Sequence, residues 1–274
     1  MRRRGWRRSV PAALPVLAAG VLLAFLLLPV VALGLSSGLG EVLAGLRNPL
    51  AVAALWLSLV TTTCSLAVVL LFGTCLAWLL ARRTGRGWRA LATLVQLPIV
   101  IPPAVSGLAL LLAFGRRGLF GPWLEHAGIG LPFTTAAVVL AEVFVSAPFY
   151  VQAAAAAFRR LDPSLLLVAR SLGAGPARTF FRVALPLSLP GLTTGAALSW
   201  SRALGEFGAT LMFAGNLQGR TQTLPLAIYT AMESDLGAAK AMSLVLVVVA
   251  FGLLLLVGRR AQSFLGGEGA RRAP

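Results

Sequence analysis

Long apolar segments dominate the chain, and six of them reach or exceed the roughly 20 residues that a helix needs to cross a bilayer. They cover residues 12–35, 50–80, 91–114, 133–157, 187–213 and 236–257. Short connections separate them, without a long linker or a soluble domain. The pattern therefore predicts an all-α integral membrane protein with six transmembrane helices in one membrane-spanning domain, residues 1–274.

Charge supports this prediction and orients the helices. Only 12% of the residues are charged, against about 25% in soluble proteins. Eighteen arginines would face one side (five before the first segment, four in 82–89, five in 159–182, four after residue 257), and four would face the other. By the positive-inside rule, the N-terminal residues 1–11, the connection 159–186 and the tail 258–274 are cytoplasmic. The net charge of +16 thus reflects membrane topology, with the lipid bilayer rather than nucleic acid as partner.

The basic N-terminus followed by an apolar segment also resembles a twin-arginine signal peptide. The apolar segment is about 24 residues long, whereas the apolar region of a signal peptide has roughly 7–15. Its length favours a first transmembrane helix that is retained in the mature protein.

The cytoplasmic connection 159–186 carries the signals of two short helices. Asp162 followed by Pro163 is a good helix start, because the Asp side chain accepts free N–H groups and Pro needs no donor there. Gly173 and Gly175 are expected to end this helix. Pro176 opens a second helix, which Pro186 is expected to end or kink. A helix, a glycine elbow and a second helix suggest a surface that another protein contacts.

Four charged residues lie inside predicted transmembrane helices: Glu142, Arg202, Glu206 and Lys240. Isolated charges there cost at least about 2.5–3.5 kcal/mol, so each should have a partner. Arg202 and Glu206 are four residues apart and can pair on one helical face. The pair is either an internal salt bridge that orients a helix or part of a polar pathway, and the sequence favours neither.

Small residues and prolines indicate how the helices pack. Gly191 and Gly195 form a GxxxG motif, which predicts close contact with another helix. Prolines at positions 98, 102 and 103 predict a kink in the third transmembrane helix.

Chemistry that would make the chain an enzyme is not evident. Lys240 is the only lysine, so the chain has no G-x-x-x-x-G-K-[ST] phosphate-binding loop. His126 is the only histidine and lies in a short outer connection, which leaves a catalytic triad or a metal site without support. Cys64 and Cys75 are eleven residues apart, about 16 Å along one helix, and cannot form a disulfide. We therefore predict no catalytic residues, no metal and no cofactor in this chain.

The spacing of the cytoplasmic connection resembles the signature of ABC importer permeases, EAA, three residues, Gly, nine residues, then I-x-L-P. Gly173 takes the glycine position and Pro186 the last one, but Leu167 replaces the acidic residue and Val168 the first alanine. The resemblance implies that this coupling helix binds a separate ATPase subunit, which would hold ATP and Mg²⁺. The implied coupling residues are Pro163, Leu165, Leu166, Leu167, Val168, Ala169, Arg170, Gly173, Ala174, Gly175, Leu185 and Pro186.

A second motif narrows the resemblance. GEFGA at residues 205–209 is similar to molybdate, sulfate and thiosulfate permeases, and GRTQTLP at 219–225 favours molybdate or tungstate. The resemblance implies a homodimer, an extracytoplasmic oxyanion-binding protein, and a place in a bacterial or archaeal cytoplasmic membrane. Oxyanion import would proceed by alternating access. The candidate pathway residues are Arg202, Glu206, Phe207, Gly208, Thr210 and Asn216.

Three alternatives stay open from the sequence. The first is a sulfate, thiosulfate or tungstate permease. The second is an ion-driven secondary transporter, in which Glu142 and Glu206 would bind protons or sodium, although no inverted repeat is evident. The third is a membrane-embedded enzyme, for which no catalytic set can be assembled.

Overall fold

The computed structural model describes residues 13–38, 40 and 47–269, and these residues form helices and connections without a strand. A five-residue π-helical segment, Phe180–Ala184, lies between α9 and α10. The helices are α1 (Ala13–Ser36), α2 (Pro49–Arg82), α3 (Arg86–Leu94), α4 (Leu97–Val100), α5 (Pro103–Phe114), α6 (Gly121–His126), α7 (Thr135–Arg159), α8 (Pro163–Ser171), α9 (Pro176–Thr179), α10 (Leu185–Leu204), α11 (Gly208–Ala214), α12 (Leu224–Ser234) and α13 (Leu236–Gly269).

Four helices are long and apolar enough to cross a membrane, namely α1, α2, α7 and α13. Helices α3 to α5 would together add a fifth crossing, but they bend by 114° at the break before α5. Helix α1 buries none of its apolar window and exposes its leucines and valines, as a lipid-facing helix does. The described residues therefore contain four candidate transmembrane helices, or five with the bent pair, where the sequence predicts six.

The predicted third transmembrane helix is sharply broken at its prolines. Helix α4 carries Pro98 in its first turn and ends at Val100, and α5 begins at Pro103. Each of these prolines lacks an N–H, so the chain loses helical hydrogen bonds where they cluster. The predicted kink is confirmed, and it is large enough to divide the segment.

The predicted fifth transmembrane helix, residues 187–213, is wrong as a single helix. Helix α10 ends at Leu204, and residues 205–207 separate it from α11. Gly205 disfavours a continuing helix, and the backbone N–H of Glu206 turns back to the carbonyl of Ala203 at 2.9 Å. The side chain of Glu206 then caps the start of α11, which supports the break.

Pro186 does not end the helix that begins at Pro176, so that part of the prediction is wrong. The π-helical segment carries the chain from α9 into α10, with the N–H of Leu185 bonded to the carbonyl of Phe180, five residues earlier. Pro186 is the second residue of α10, directly after the π-helical segment. Residues 176–204 therefore run as one helical segment.

Helix α7 is central and packs most extensively on α2 and α10. The predicted packing role of the GxxxG glycines is confirmed, because a Cβ at Gly191 would lie 2.5 Å from the Cβ of Ala157, and one at Gly195 would lie 2.8 Å from that of Ala153. On its other side, α7 places Tyr150 2.6 Å from the hydroxyl of Thr74 in α2. These close contacts make α2, α7 and α10 the core of the subunit.

Helix α12 was not predicted. It is too short to cross a bilayer, and its first turn is buried against α2 and α13, where Leu224 and Ala227 join one apolar cluster with Ala51 and Met242. The N–H of Leu224 donates to the hydroxyl of Ser58 at 2.7 Å. The polypeptide between α11 and α13 therefore packs back into the bundle instead of forming only an outer loop.

Both predicted terminal regions extend beyond what the structure describes. The basic segment 1–11 lies outside the described residues, and so do the last five residues of the predicted tail 258–274. Helix α13 continues past the predicted end of the last transmembrane helix at Val257 as far as Gly269.

Candidate functional site

Residues 159–186 form the predicted helix, elbow and second helix. Asp162 starts α8, its side chain accepting the N–H of Ser164 at 2.9 Å. This hydrogen bond from the Ser164 backbone holds the pKa of Asp162 below its usual value of 3.8. Past the end of α8, Gly173 adopts φ +82°, a conformation that residues with a Cβ rarely adopt. The N–H of Gly173 bonds to the carbonyl of Arg170 at 2.9 Å and that of Ala174 to Ala169 at 3.0 Å, which is a Schellman cap.

Helix α8 presents an apolar surface to solvent. Leu165, Leu167, Val168 and Leu172 are 45%, 62%, 57% and 83% exposed, and we call these four residues the coupling surface. Leu167 and Val168 are the two positions where the family signature has Glu and Ala. Leu166, which the sequence included among the coupling residues, is only 2% exposed and packs inward. It therefore anchors α8 and is not available to a partner.

The other predicted coupling residues flank this surface. Half-buried positions are Ala169, Ala174 and Leu185, and the exposed ones are Pro163, Arg170, Gly173, Gly175 and Pro186.

An aromatic cluster ties the connection to the membrane core. Trp78 of α2 meets the rings of Phe158 in α7 and Phe180 in the π-helical segment, with centroids 5.2 and 5.1 Å apart. Arg159 adds a hydrogen bond to the carbonyl of Leu80 at 3.3 Å. The π-helical segment that follows α9 is therefore packed against both α2 and α7.

The break between α10 and α11 holds the predicted ion pair. Nη2 of Arg202 lies 2.7 Å from Oε2 of Glu206, whose side chain is 1% exposed. The other carboxylate oxygen, Oε1, accepts the N–H of Ala209 at 2.7 Å in the first turn of α11. Glu206 thus joins the end of α10 to the start of α11.

The remaining pathway candidates surround this break without converging on one point. Phe207 contacts the ring of Tyr229 in α12, with centroids 5.3 Å apart, and Asn216 donates to the hydroxyl of Thr230 at 2.9 Å. Thr210 is fully buried, and its hydroxyl has no hydrogen-bond partner among the described residues. A Cβ at Gly208 would lie 2.8 Å from the Cβ of Pro103, so α11 and α5 touch there.

A polar seam between α2 and α7 was missed from the sequence. Glu142 is 2% exposed, and its Oε1 accepts the hydroxyl of Thr61 at 2.8 Å. Its second oxygen has no partner among the described residues. Ser58 and Ser65 lie on the same buried face of α2. The run of Ser and Thr at 58–65, inside an apolar segment, is the signal that could have identified them.

No candidate metal site is present among the residues that the structure describes. They contain no group of three or more His, Cys, Asp or Glu side chains that could hold a metal ion. Cys64 and Cys75 are free and exposed on α2.

Both regions lie in a part of the chain that matches a known protein family. The family described as "Binding-protein-dependent transport system inner membrane component" matches residues 73–265, which include both the coupling surface and the ion pair. The chain belongs to this family of ABC importer permeases. The permease resemblance stated from the sequence is thereby confirmed.

Relatives of this permease carry molybdenum transport in their names. It is 48% identical over 236 residues to the molybdenum transport system permease protein ModB of Mycobacterium tuberculosis, covering 86% of this chain and 89% of that protein. It is 40% identical over 205 residues to ModB of Escherichia coli K12, covering 74% and 90%. A probable molybdenum ABC transporter permease of Haloferax volcanii is 39% identical over 260 residues, covering 93% and 94%.

Solved structures share the fold of this permease at low sequence identity. A bacterial ABC transporter that imports alginate matches with a TM-score of 0.72 and 17% identity, over 92% of this chain and 94% of that one. The inward-facing MetNI methionine transporter matches with a TM-score of 0.62 and 19% identity, over 78% and 95%. The helical arrangement is therefore that of ABC importer permeases.

Proposed function

We propose that this chain is the membrane-spanning permease subunit of an ATP-driven importer of an oxyanion, namely molybdate. The observation that carries the proposal is the 48% identity to a molybdenum permease over 86% of the chain, which spans both candidate sites. In this proposal the chain crosses the cytoplasmic membrane of a bacterium or archaeon six times, with both termini in the cytoplasm. Helix α10 is the sixth crossing, because its 20 residues span about 30 Å.

The permease works as a homodimer with separate ATPase subunits, which hold ATP and Mg²⁺, and it has no ATPase site of its own. The coupling surface supports the ATPase contact, because four apolar side chains within residues 165–172 are 45% or more exposed. Burying a Leu side chain contributes about 1.5–3 kcal/mol, so this surface gains stability when a partner covers it. With Leu167 in place of the family's acidic residue, the contact is mainly apolar, and Arg170 lies exposed beside it.

On the outer side, an oxyanion-binding protein delivers the cargo. A structural neighbour supports this arrangement, since the alginate transporter forms a complex with a periplasmic protein that holds an alginate pentasaccharide. Cargo then passes near the break between α10 and α11, where the candidate pathway residues lie. ATP binding and hydrolysis alternate the access of this path between the two sides of the membrane.

Transport in proteoliposomes tests the proposal. The chain is purified with its ATPase and reconstituted, and molybdate uptake is measured with the oxyanion-binding protein outside and ATP inside. We expect uptake with ATP and none with a non-hydrolysable analogue. Uptake that persists with the analogue, or that follows an ion gradient, would support the secondary transporter instead.

Competition identifies the cargo in the same assay. Excess molybdate should suppress uptake of the labelled anion more strongly than tungstate, sulfate or thiosulfate. If sulfate competes best, the cargo assignment is wrong while the permease assignment stands.

A further inference from the structure

The two residues of the ion pair at the break between α10 and α11 differ in how many of their polar atoms have partners. Both carboxylate oxygens of Glu206 are engaged, one by the N–H of Ala209 and one by the guanidinium, each at 2.7 Å. Arg202 has five N–H donors, and its side chain is 27% exposed. Glu206 is the one carboxylate within 4.0 Å of Arg202 among the described residues. The guanidinium therefore keeps free donors on its exposed side.

A guanidinium with free donors suits a tetrahedral oxyanion, which it can bind through two parallel hydrogen bonds. An unpaired Arg inside the membrane would hold such an anion strongly, whereas transport needs binding weak enough for release. We propose that Arg202 is a transient contact site for the oxyanion, and that Glu206 is a positioning residue that limits its affinity. This inference rests on the proposed function, because it assumes that an oxyanion passes the break.

Glu206 limits the affinity in two ways. It occupies one side of the guanidinium, and it cancels the positive charge that would attract the anion. No other oppositely charged side chain is within ion-pair distance of either residue in the described part of the chain.

The geometry also makes the pair responsive to conformation. Arg202 belongs to the last turn of α10, while Glu206 is fixed to α11 through Ala209. Only residues 205–207 separate the two helices, so a change in the angle between them lengthens the 2.7 Å contact directly. Access to the guanidinium then rises in one state of the transport cycle and falls in the other.

Anion binding to the purified permease–ATPase complex in nanodiscs, without the binding protein, tests this inference. The probe is radiolabelled molybdate. Glu206→Gln keeps an oxygen for the N–H of Ala209 but removes the charge, and we expect it to bind molybdate at least about tenfold more tightly than the wild type. Glu233→Gln, the matched control, removes the same charge from an exposed side chain on α12 and should stay near the wild type. The double variant Arg202→Gln/Glu206→Gln should lose the added affinity.

Two results would overturn the inference. One is a folded Glu206→Gln complex that binds molybdate no better than the wild type, and the other is a double variant that retains the tighter binding. If Glu206→Gln does not assemble, Arg202→Gln decides, because we expect it to lose most ATP-dependent uptake while ATP hydrolysis stimulated by the binding protein persists. Normal uptake by Arg202→Gln would refute the contact site. Absence of uptake by the wild type would refute the proposed function instead.

Discussion

The elbow after α8 allows a sharp test of coupling, because two glycines two residues apart differ in conformation. Gly173 has φ +82°, and Gly175 has φ −64°. A Cβ at either position would meet no heavy atom within 4 Å, so a clash cannot explain any effect of alanine. Gly173→Ala therefore tests backbone strain alone, and Gly175→Ala is its matched control.

The expected cost follows from these angles. A residue with a Cβ in the left-handed conformation costs roughly 1–2 kcal/mol, which lowers the population of the Schellman-capped elbow about 5- to 30-fold. At Gly175 two small effects oppose each other. Alanine restricts the unfolded chain, which stabilises by about 0.4–1 kcal/mol, but it is a poorer N-cap for α9 by a similar amount.

The assay is the affinity of the nanodisc-embedded permease for its ATPase, together with molybdate uptake. We expect Gly173→Ala to weaken ATPase binding about 5- to 30-fold and Gly175→Ala to change it less than about twofold. The reasoning is refuted if Gly173→Ala binds the ATPase as tightly as the wild type. It is equally refuted if both variants lose the same affinity, because conformation would then not distinguish them.

Three further predictions concern stability and pH. Gly191→Ala places a methyl group 2.5 Å from the Cβ of Ala157 in a neighbouring helix, and we expect it to lower the free energy of unfolding by about 1–3 kcal/mol. Gly252→Ala, whose methyl group would meet no atom within 4 Å, should not lower it. Equal melting temperatures of the two variants would contradict the close packing. Thr61→Val removes the hydroxyl that bonds a buried carboxylate at 2.8 Å and should cost about 0.6–2 kcal/mol, more than Thr63→Val on an exposed face, which the same unfolding experiment checks. Asp162→Ala should weaken ATPase binding and Asp162→Asn should not. Because the folded pKa of Asp162 is lowered, its cap is complete above the usual value of 3.8 and is lost only as the pH falls below it, so binding that varies between about pH 6 and 8 would have another cause.

Local signals in the sequence predicted the helices and the elbow of residues 159–186 well. An Asp before a Pro, and a glycine where the chain must turn left-handed, act within a few residues, so their effect can be read from the sequence. The close approach at Gly191 was predictable for the same reason, since a GxxxG motif carries its own contact geometry. What the sequence could not show is that Leu166 faces inward, because that depends on the side of α8 that meets the core.

Features that depend on distant partners were missed. A single helix over residues 187–213 was predicted from hydropathy, but hydropathy does not register a carboxylate that caps the next helix, as Glu206 does for α11. Helix α12 was overlooked because its apolar stretch is shorter than a bilayer, and its burial relies on Ser58, 166 residues away along the chain. Thr61 as the partner of Glu142 likewise required knowing that α2 and α7 are neighbours.

The π-helical segment determines the direction in which the side chains of α10 point. In an α-helix each residue turns the chain by about 100° around the helix axis. A π-helical turn holds more residues than an α-helical turn, so one extra residue there rotates every later side chain by about that angle, relative to a regular α-helix. Phe180–Ala184 lies between the coupling surface and Arg202, and the helical segment 176–204 contains no loop that could correct the angle. Deleting one residue from Phe180–Ala184 would leave both ends folded but aim Arg202 at a different neighbour. The direction in which Arg202 points is thus set near the start of the helical segment that carries it.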